Sequence, residues 1–388
     1  MVQDVRSLDD IEERTALGRA LIARGVGEPD PLLTLAPERT GPLARHLGIP
    51  FPQGLAPSPA PIDPAPDPAG ALPAADVVVI TWTVDEQDAL CDVFTPGFGR
   101  NAWYRYTRRF ADYAPRIRAG APASTARRLA SYFPCTVGGT SVLCMKSELH
   151  LNQDGIRTGE GTATLPVKDL FLQIIDEVRP TVVLTIGTAG SVAEDAQLGD
   201  VVVTRAAKFR LASEFRNEPF NGKVFTSDWQ IPTTRFDDAQ TLMRPFAAEL
   251  AEPPFLPPTK RYHYHGSAIH PDVNVPDIKL DGRDMPPFHP ILTTDYFEYG
   301  TSTNRLDLEG AAVEMGDAAL GLAASELSNP PRWAAVRNMS DPQINGDIPV
   351  VGYRLNAQTQ WAVAYYTSYG YWTSVTGALA AWGIVASM

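Results

Sequence analysis

Four short segments have the residue types and surroundings to do chemistry. Ser340-Asp341 closes the apolar run Trp333-Ala-Ala-Val-Arg-Asn-Met339. A carboxyl at the carboxyl end of a buried strand is partly desolvated, which raises its pKa and lets it donate a proton near neutrality. Capping the turn before Pro342 is the plainer use of the same residue. Asp85-Glu86 stands a few residues after another apolar run, at the start of an expected helix, where the dipole favours acids in any case. Gly187-Thr188-Ala189-Gly190 follows a third run directly. Small residues there let a ligand approach the backbone at the end of a sheet where α/β proteins bind ligands. No Walker or GxGxxG pattern is present. Glu314 and Asp317, in Val313-Glu-Met-Gly-Asp317, are three apart and share a face if the segment is helical. His263 and His265 alternate as in a strand, but without a third ligand at useful spacing they read as a surface hairpin, and no metal site is expected.

These groups need elements to hold them. Asp76-Val-Val-Val-Ile-Thr81, Thr181-Val-Val-Leu-Thr-Ile186, Asp200-Val-Val-Val-Thr204 and Arg332–Met339 are continuous apolar runs, as in strands buried on both faces. The amphipathic stretch 167–178 precedes the second, and a helix followed by a buried strand marks α/β layering. Gly310–Leu327 reads as a helix carrying Glu314 and Asp317, and Gln358–Ser387 as one or two apolar helices. Residues 1–49 read as a small helical extension, with Ser7 capping a helix to Gly25 and a second short helix at Pro42–Leu47. Nine of the 24 residues from Pro50 to Pro73 are proline, so 50–73 is expected to be an extended linker. The main domain is then 74–388, with a loop insertion at about 206–290 where periodicity dissolves.

Composition narrows the function. Of 388 residues 44% are apolar and 20% charged, which excludes wholesale disorder. Acidic residues outnumber basic ones 45 to 33, a net charge of −12, which argues against a nucleic-acid or anionic-membrane binder. The three cysteines form no CxxC pair, as in a reducing compartment without structural zinc. No leader peptide and no bilayer-spanning segment is expected, so the location reads as cytoplasmic.

In this order the segments resemble the nucleoside phosphorylase and nucleosidase superfamily. Four stretches carry the resemblance: Val77–Leu90; Val182–Val203; Thr294–Phe297 with VEMGDAAL; and AAVRNMSD at 334–341. It covers roughly 76–205 and 290–388. It implies a three-layer α/β/α sandwich around a mixed, partly barrel-like sheet, and cleavage of the bond between a base and a ribose. By the same resemblance, Asp341, preceded by Ser340, is the acid that protonates the leaving purine, and Glu86 the carboxylate that activates water. Phe297 packs on the base, with the backbone at Glu298 reading its edge. Met315 lies under the ribose, and Thr188, after Gly187, sits near the anomeric side. Gly316 stands where the family has its ribose-binding glutamate, leaving Glu314 or Asp317 as substitutes. Thr185 stands where the phosphorylases have a phosphate-binding arginine, and a hydroxyl does not replace a bidentate cation.

The expected activity is therefore hydrolysis of a purine nucleoside or nucleotide, through an oxocarbenium-like transition state and without metal or cofactor. Arg337, Arg305, Arg157 and Lys146 are the candidates for holding a substrate phosphate. The alternatives are a phosphorylase recruiting Arg205 or Arg157, and a nucleoside- or nucleotide-binding sensor without turnover, with residues 1–75 as its partner module. The expected partners are a small-molecule nucleoside or nucleotide and further copies of the chain as a homo-oligomer, with neither nucleic acid nor membrane.

Overall fold

Val77 and Val79 face one hydrophobic core while Val78 and Ile80 face another. The β-branched run is apolar throughout because both faces of its strand are covered. The computed structural model describes residues 8–23, 46–151, 161–250, 275–344, 346 and 357–388. In chain order these form α1 (Leu8–Ala23), β1 (Ser58–Pro59), β2 (Val77–Thr81), α2 (Val84–Phe94), β3 (Tyr104–Tyr106), α3 (Phe110–Tyr113), α4 (Pro122–Ala126), β4 (Ala130–Val137) and β5 (Thr140–Ser147). There follow α5 (Pro166–Val178), β6 (Val182–Ser191), β7 (Val201–Thr204), β8 (Ala206–Phe209), β9 (Val224–Thr226), α6 (Phe236–Met243), β10 (Ile278–Leu280) and β11 (Ile291–Thr293). β12 (Ala312–Glu314), α7 (Asp317–Ser325), β13 (Arg332–Asp341) and α8 (Ala357–Val385) complete the chain.

Among the described residues, the thirteen strands belong to one mixed sheet. β2, β6 and β13 lie parallel and side by side at its centre. β13 also pairs antiparallel with β7, which runs on through Arg205 into β8; β8 pairs with β11, β11 with β12, and β12 with the far end of β6. The ring β6–β13–β7/β8–β11–β12–β6 therefore closes on itself. Helices α2, α6 and α8 cover one face and α5 and α7 the other. The fold is a three-layer α/β sandwich with a partly barrel-like sheet, in line with the sequence.

Several local readings need correction. Gly310–Leu327 is not one helix. Ala312–Glu314 is strand β12, registered against β11 and β6, and only Asp317–Ser325 is helical. Sheet pairing on both sides of β12 outweighs the helix propensity of its alanines. Glu314 and Asp317 thus belong to different elements. The segment 206–290 is more than a loop. It supplies β8, β9, α6 and β10, short elements without readable periodicity, while 251–274 lie outside the described residues. The hairpin β4–β5 was not anticipated at all. It turns on Gly138-Gly139, whose φ values of +57° and +95° suit a two-residue loop that glycine adopts without strain. Ser7, Pro42 and both histidines of His263-Tyr-His265 lie outside the described residues, and residues 46–47 are not helical.

The proline-rich stretch is docked on the domain as a strap. Leu72 is buried, and its N–H donates to Glu177 at 2.9 Å. Ser58–Pro59 pairs with the edge of β4. Phe51 packs on Trp382 of α8, with ring centroids 5.1 Å apart and planes tilted by 49°, and the Trp382 indole N–H donates to Leu55 O at 2.8 Å. Proline removes donors, which an edge position tolerates, and its fixed φ lowers the entropy lost on docking. A chain starting at residue 74, which the linker reading would leave intact, is accordingly expected to melt roughly 5 °C or more below the full chain. An unchanged melting temperature by calorimetry would return the strap to a linker.

Candidate active site

The carboxyl ends of β2, β6 and β13 converge, and each delivers one functional group. Beyond β2, Thr83 caps α2 and Glu86 is the third residue of the helix, a capping box in which side chain and backbone satisfy each other. The Glu86 carboxylate does more than cap. Its Oε2 accepts from Thr81 Oγ1 at 2.7 Å and from the N–H groups of Trp82 and Thr83 at 3.0 and 2.8 Å. Its Oε1 accepts from both N–H and Oγ1 of Thr188, each at 2.8 Å. Burial opposes ionisation of this group, but the Arg337 charge and the donated bonds outweigh it and hold the pKa below the usual carboxylate value. Gly187 makes the arrangement possible. Its φ is +154°, and a Cβ there would lie 2.6 Å from Glu86 Oε1 and 2.8 Å from Arg337 Nη1.

Arg337, on β13, is fully buried and binds Asp317 at the start of α7 through two nitrogens; Nε to Oδ2 is 2.8 Å. Its Nη2 is also 3.2 Å from Glu314. Glu314 accepts from the N–H of Gly316 and Asp317 and from Thr293 Oγ1, and its pKa is pushed up by burial and by the Asp317 carboxylate. The guanidinium lies 4.9 Å over the Trp82 ring. Arg337 is therefore consumed within the protein and does not await a phosphate. The other phosphate candidates fare likewise: Lys146 binds Glu148, Arg205 binds Asp281 at 3.0 Å, and Arg305 lies at the surface beside Asp307. Arg157 lies outside the described residues.

Asp341 is different. A register shift between Met339 and Asp341 sets it opposite Gly190 of β6. It is 2% exposed, its Oδ1 accepts from Ser340 Oγ at 3.0 Å, and its Oδ2 has no partner among the described residues. Burial, opposed only by the Ser340 bond, raises its pKa to about 7. A Cβ at Gly190 would stand 3.0 Å from that free oxygen and 3.5 Å from Glu298 O, so glycine keeps the carboxyl reachable.

One cavity gathers Asp341, Ser340, Glu86, Thr188, Phe297 and Glu298, together with Met315, Glu314 and Arg337. Gly187 and Asp317 stand behind it, supporting Glu86 and Arg337. The Glu298 side chain is turned away, bound to Arg14 and, at 3.0 Å, to Arg210, so only its backbone is left for a ligand. Lining residues not foreseen include Trp82, Thr83, His150, Gly18 and Tyr366. Trp82 directly follows a readable strand and was within reach of inspection. His150 follows the unread strand β5. Gly18 is brought in by α1, which docks through fully buried Arg14: Nε donates to Phe297 O at 2.7 Å, and the guanidinium lies 4.9 and 4.7 Å from the rings of Tyr296 and Tyr299. Residues 8–23 are thus a wall of the site.

Among the described residues no group of His, Cys, Asp and Glu is arranged to hold a metal ion, and no helix is long and apolar enough to cross a membrane.

No family profile matches the sequence, and no curated protein sequence does. Among solved structures, the chain is similar to the 5'-methylthioadenosine/S-adenosylhomocysteine nucleosidase of Neisseria meningitidis, with 15% identity, 80% of this chain and 99% of that one covered, and a TM-score of 0.42. It is similar to the nucleosidase of the same description from Helicobacter pylori at 11% identity, 81% and 99% coverage and TM-score 0.45. It is also similar to the futalosine hydrolase of Helicobacter pylori at 12% identity, 80% and 97% coverage and TM-score 0.41.

Removing Arg337 would leave two buried carboxylates facing each other. Arg337→Met is expected to cost about 3–5 kcal/mol of stability by chemical denaturation, and adding Asp317→Leu to recover part of it. A single variant within about 0.5 kcal/mol of wild type would show that the cluster is not what holds β13 to α7.

Proposed function

We propose that the protein is a purine N-glycosidase that cleaves its substrate by hydrolysis. The observation that carries this reading is Asp341: a buried carboxyl, half-protonated near pH 7, with one oxygen unpartnered and facing a cavity beside an aromatic ring. A purine leaving its sugar gains negative charge, which a positioned acid neutralises, an effect typically worth about 10²–10⁴-fold. Phe297 would pack on the base, and Asp341 Oδ2 would hold its proton toward a ring nitrogen.

The sugar develops positive charge as the bond breaks. Glu86 is suited to oppose that charge because its pKa is held low and it stays ionised. With its oxygens taken by Thr81, Trp82, Thr83 and Thr188, it is a weaker proton acceptor than the water-activating role expected of it. Its proposed part is to stabilise the cation and orient the attacking water through Thr188. The net balance of the lining is negative, which favours a cationic transition state over a bound anion.

Water is favoured over phosphate as nucleophile because the one arginine among the described lining residues is held by Asp317 and Glu314. Cytoplasmic location and self-association stand as expectations of the same reading.

Release of free base from purine nucleosides is expected without inorganic phosphate and to be lost in Asp341→Asn. Strict phosphate dependence with ribose 1-phosphate as product would favour a phosphorylase, and tight nucleoside binding without turnover a sensor. The rate should fall as pH rises through about 7, as Asp341 loses its proton. The folded pKa lies above the unfolded value of about 3.9, so protonation favours the fold at low pH and that contribution is lost as pH rises through 7. Asp341→Asn should therefore flatten part of the decline in melting temperature between pH 5 and 8. An unchanged slope would place the titrating group elsewhere.

A further inference from the structure

Resting on the glycosidase reading, we infer that Trp82 and His150 form the sugar subsite, and that it takes 2′-deoxyribosides about as well as ribosides. The base end of the cavity is set by Asp341, Phe297 and the Glu298 backbone, and the reacting centre by Glu86 and Thr188. Met315, Trp82 and His150 also line the cavity, with Gly316 beside the Trp82 ring. Trp82 is 3% exposed and His150 6%, yet neither Trp82 Nε1 nor His150 Nδ1 has a partner among the described residues. A buried polar atom without a partner costs free energy, so two on neighbouring rings that line one cavity point to a ligand that satisfies them.

Both rings are fixed in place. His150 meets the Trp82 ring edge-on, with centroids 5.9 Å apart at 77°, Phe171 meets it at 6.3 Å, and Arg337 covers a face. The indole also occupies the space next to Gly316, where a Cβ would come within 3.2 Å of Trp82 Cζ2. The glycine and the indole form a matched pair. A carboxylate could be built at 316 only if the indole gave way.

The chemistry of the two rings differs from that of a carboxylate. An indole N–H only donates. Burial and the Arg337 charge hold His150 neutral, with its pKa down to about 3, so it offers one donor and one acceptor nitrogen. The nearby carboxylates that could have accepted from sugar hydroxyls are already engaged, Asp317 by Arg337 and Glu314 by Thr293 and two backbone amides. A vicinal diol that needs two acceptors finds one here. A sugar with a single free hydroxyl and an ether or hydroxyl oxygen to accept from Trp82 is matched.

The test is calorimetric titration of the full chain with adenine, hypoxanthine and guanine, and of Asp341→Asn with the corresponding ribosides and 2′-deoxyribosides, each with and without Trp82→Phe or His150→Phe. Both substitutions keep a ring and remove its nitrogens. Each is expected to weaken nucleoside binding about five- to tenfold while leaving the free base within about twofold. The Asp341→Asn protein is expected to bind ribosides no more than about threefold tighter than deoxyribosides. Gly316→Glu combined with Trp82→Ala is expected to shift that ratio toward ribose. Equal weakening of the free base would move both rings to the base end and overturn the subsite. So would unaffected nucleoside binding, or a riboside preference clearly above about threefold. If no base binds the wild-type protein and none is released from any nucleoside, it is the glycosidase reading that has failed, and the free-base arm separates that result from a failed subsite.

Discussion

The Arg337 guanidinium is the point on which the site depends. One cation on β13 holds Asp317 at the head of α7 and Glu314 at the end of β12, stands near Glu86, and lies over Trp82. Two stretches distant in sequence, 82–86 and 314–317, meet on it. A buried charge group of this kind is costly to desolvate and unforgiving of a missing member. Its worth is geometric: it fixes where the ends of three strands and one helix lie relative to one another.

That constraint separates two carboxyls by environment. Glu86 is surrounded by donors and stays charged. Asp341, a few residues along the same strand from the arginine, has one weak hydroxyl donor and apolar surroundings, and its proton is retained to about pH 7. The contrast is the usual way one site holds an acid and an anion together. Two glycines of β6 permit it. Gly187 lets the Glu86 carboxylate and Arg337 close in, and Gly190 leaves the free oxygen of Asp341 uncovered.

The amino-terminal part of the chain is bound into this arrangement and does not hang from it. The proline-rich strap lies along the edge of β4 and under α8, and α1 closes the cavity through Arg14 and Gly18. Gly18 is there because a Cβ would come within 2.9 Å of Met315 Cε, so the helix can pack at backbone distance over the ligand space.

The sequence by itself determined the doubly covered strands β2, β6, β7 and β13, since a run of β-branched residues without alternation has few other uses, and it determined the positions of Asp341 at a strand end and Glu86 just beyond one; Gly187-Thr188-Ala189-Gly190, expected to follow its strand, lies within β6, which runs on to Ser191. Those signals are local, carried by consecutive residues. Only the tertiary structure decided the rest. Val313-Glu314 pairs as a strand because neighbouring strands supply its hydrogen bonds, although its alanine-rich flanks favour helix. The strap is docked because Trp382, more than 300 residues away, meets Phe51 and Leu55. Arg337 is spent on Asp317 and Glu314, and Trp82 fills the space beside Gly316, because chain crossings bring them together. Partners of that kind are set by the closure of the sheet, to which no stretch of sequence alone refers.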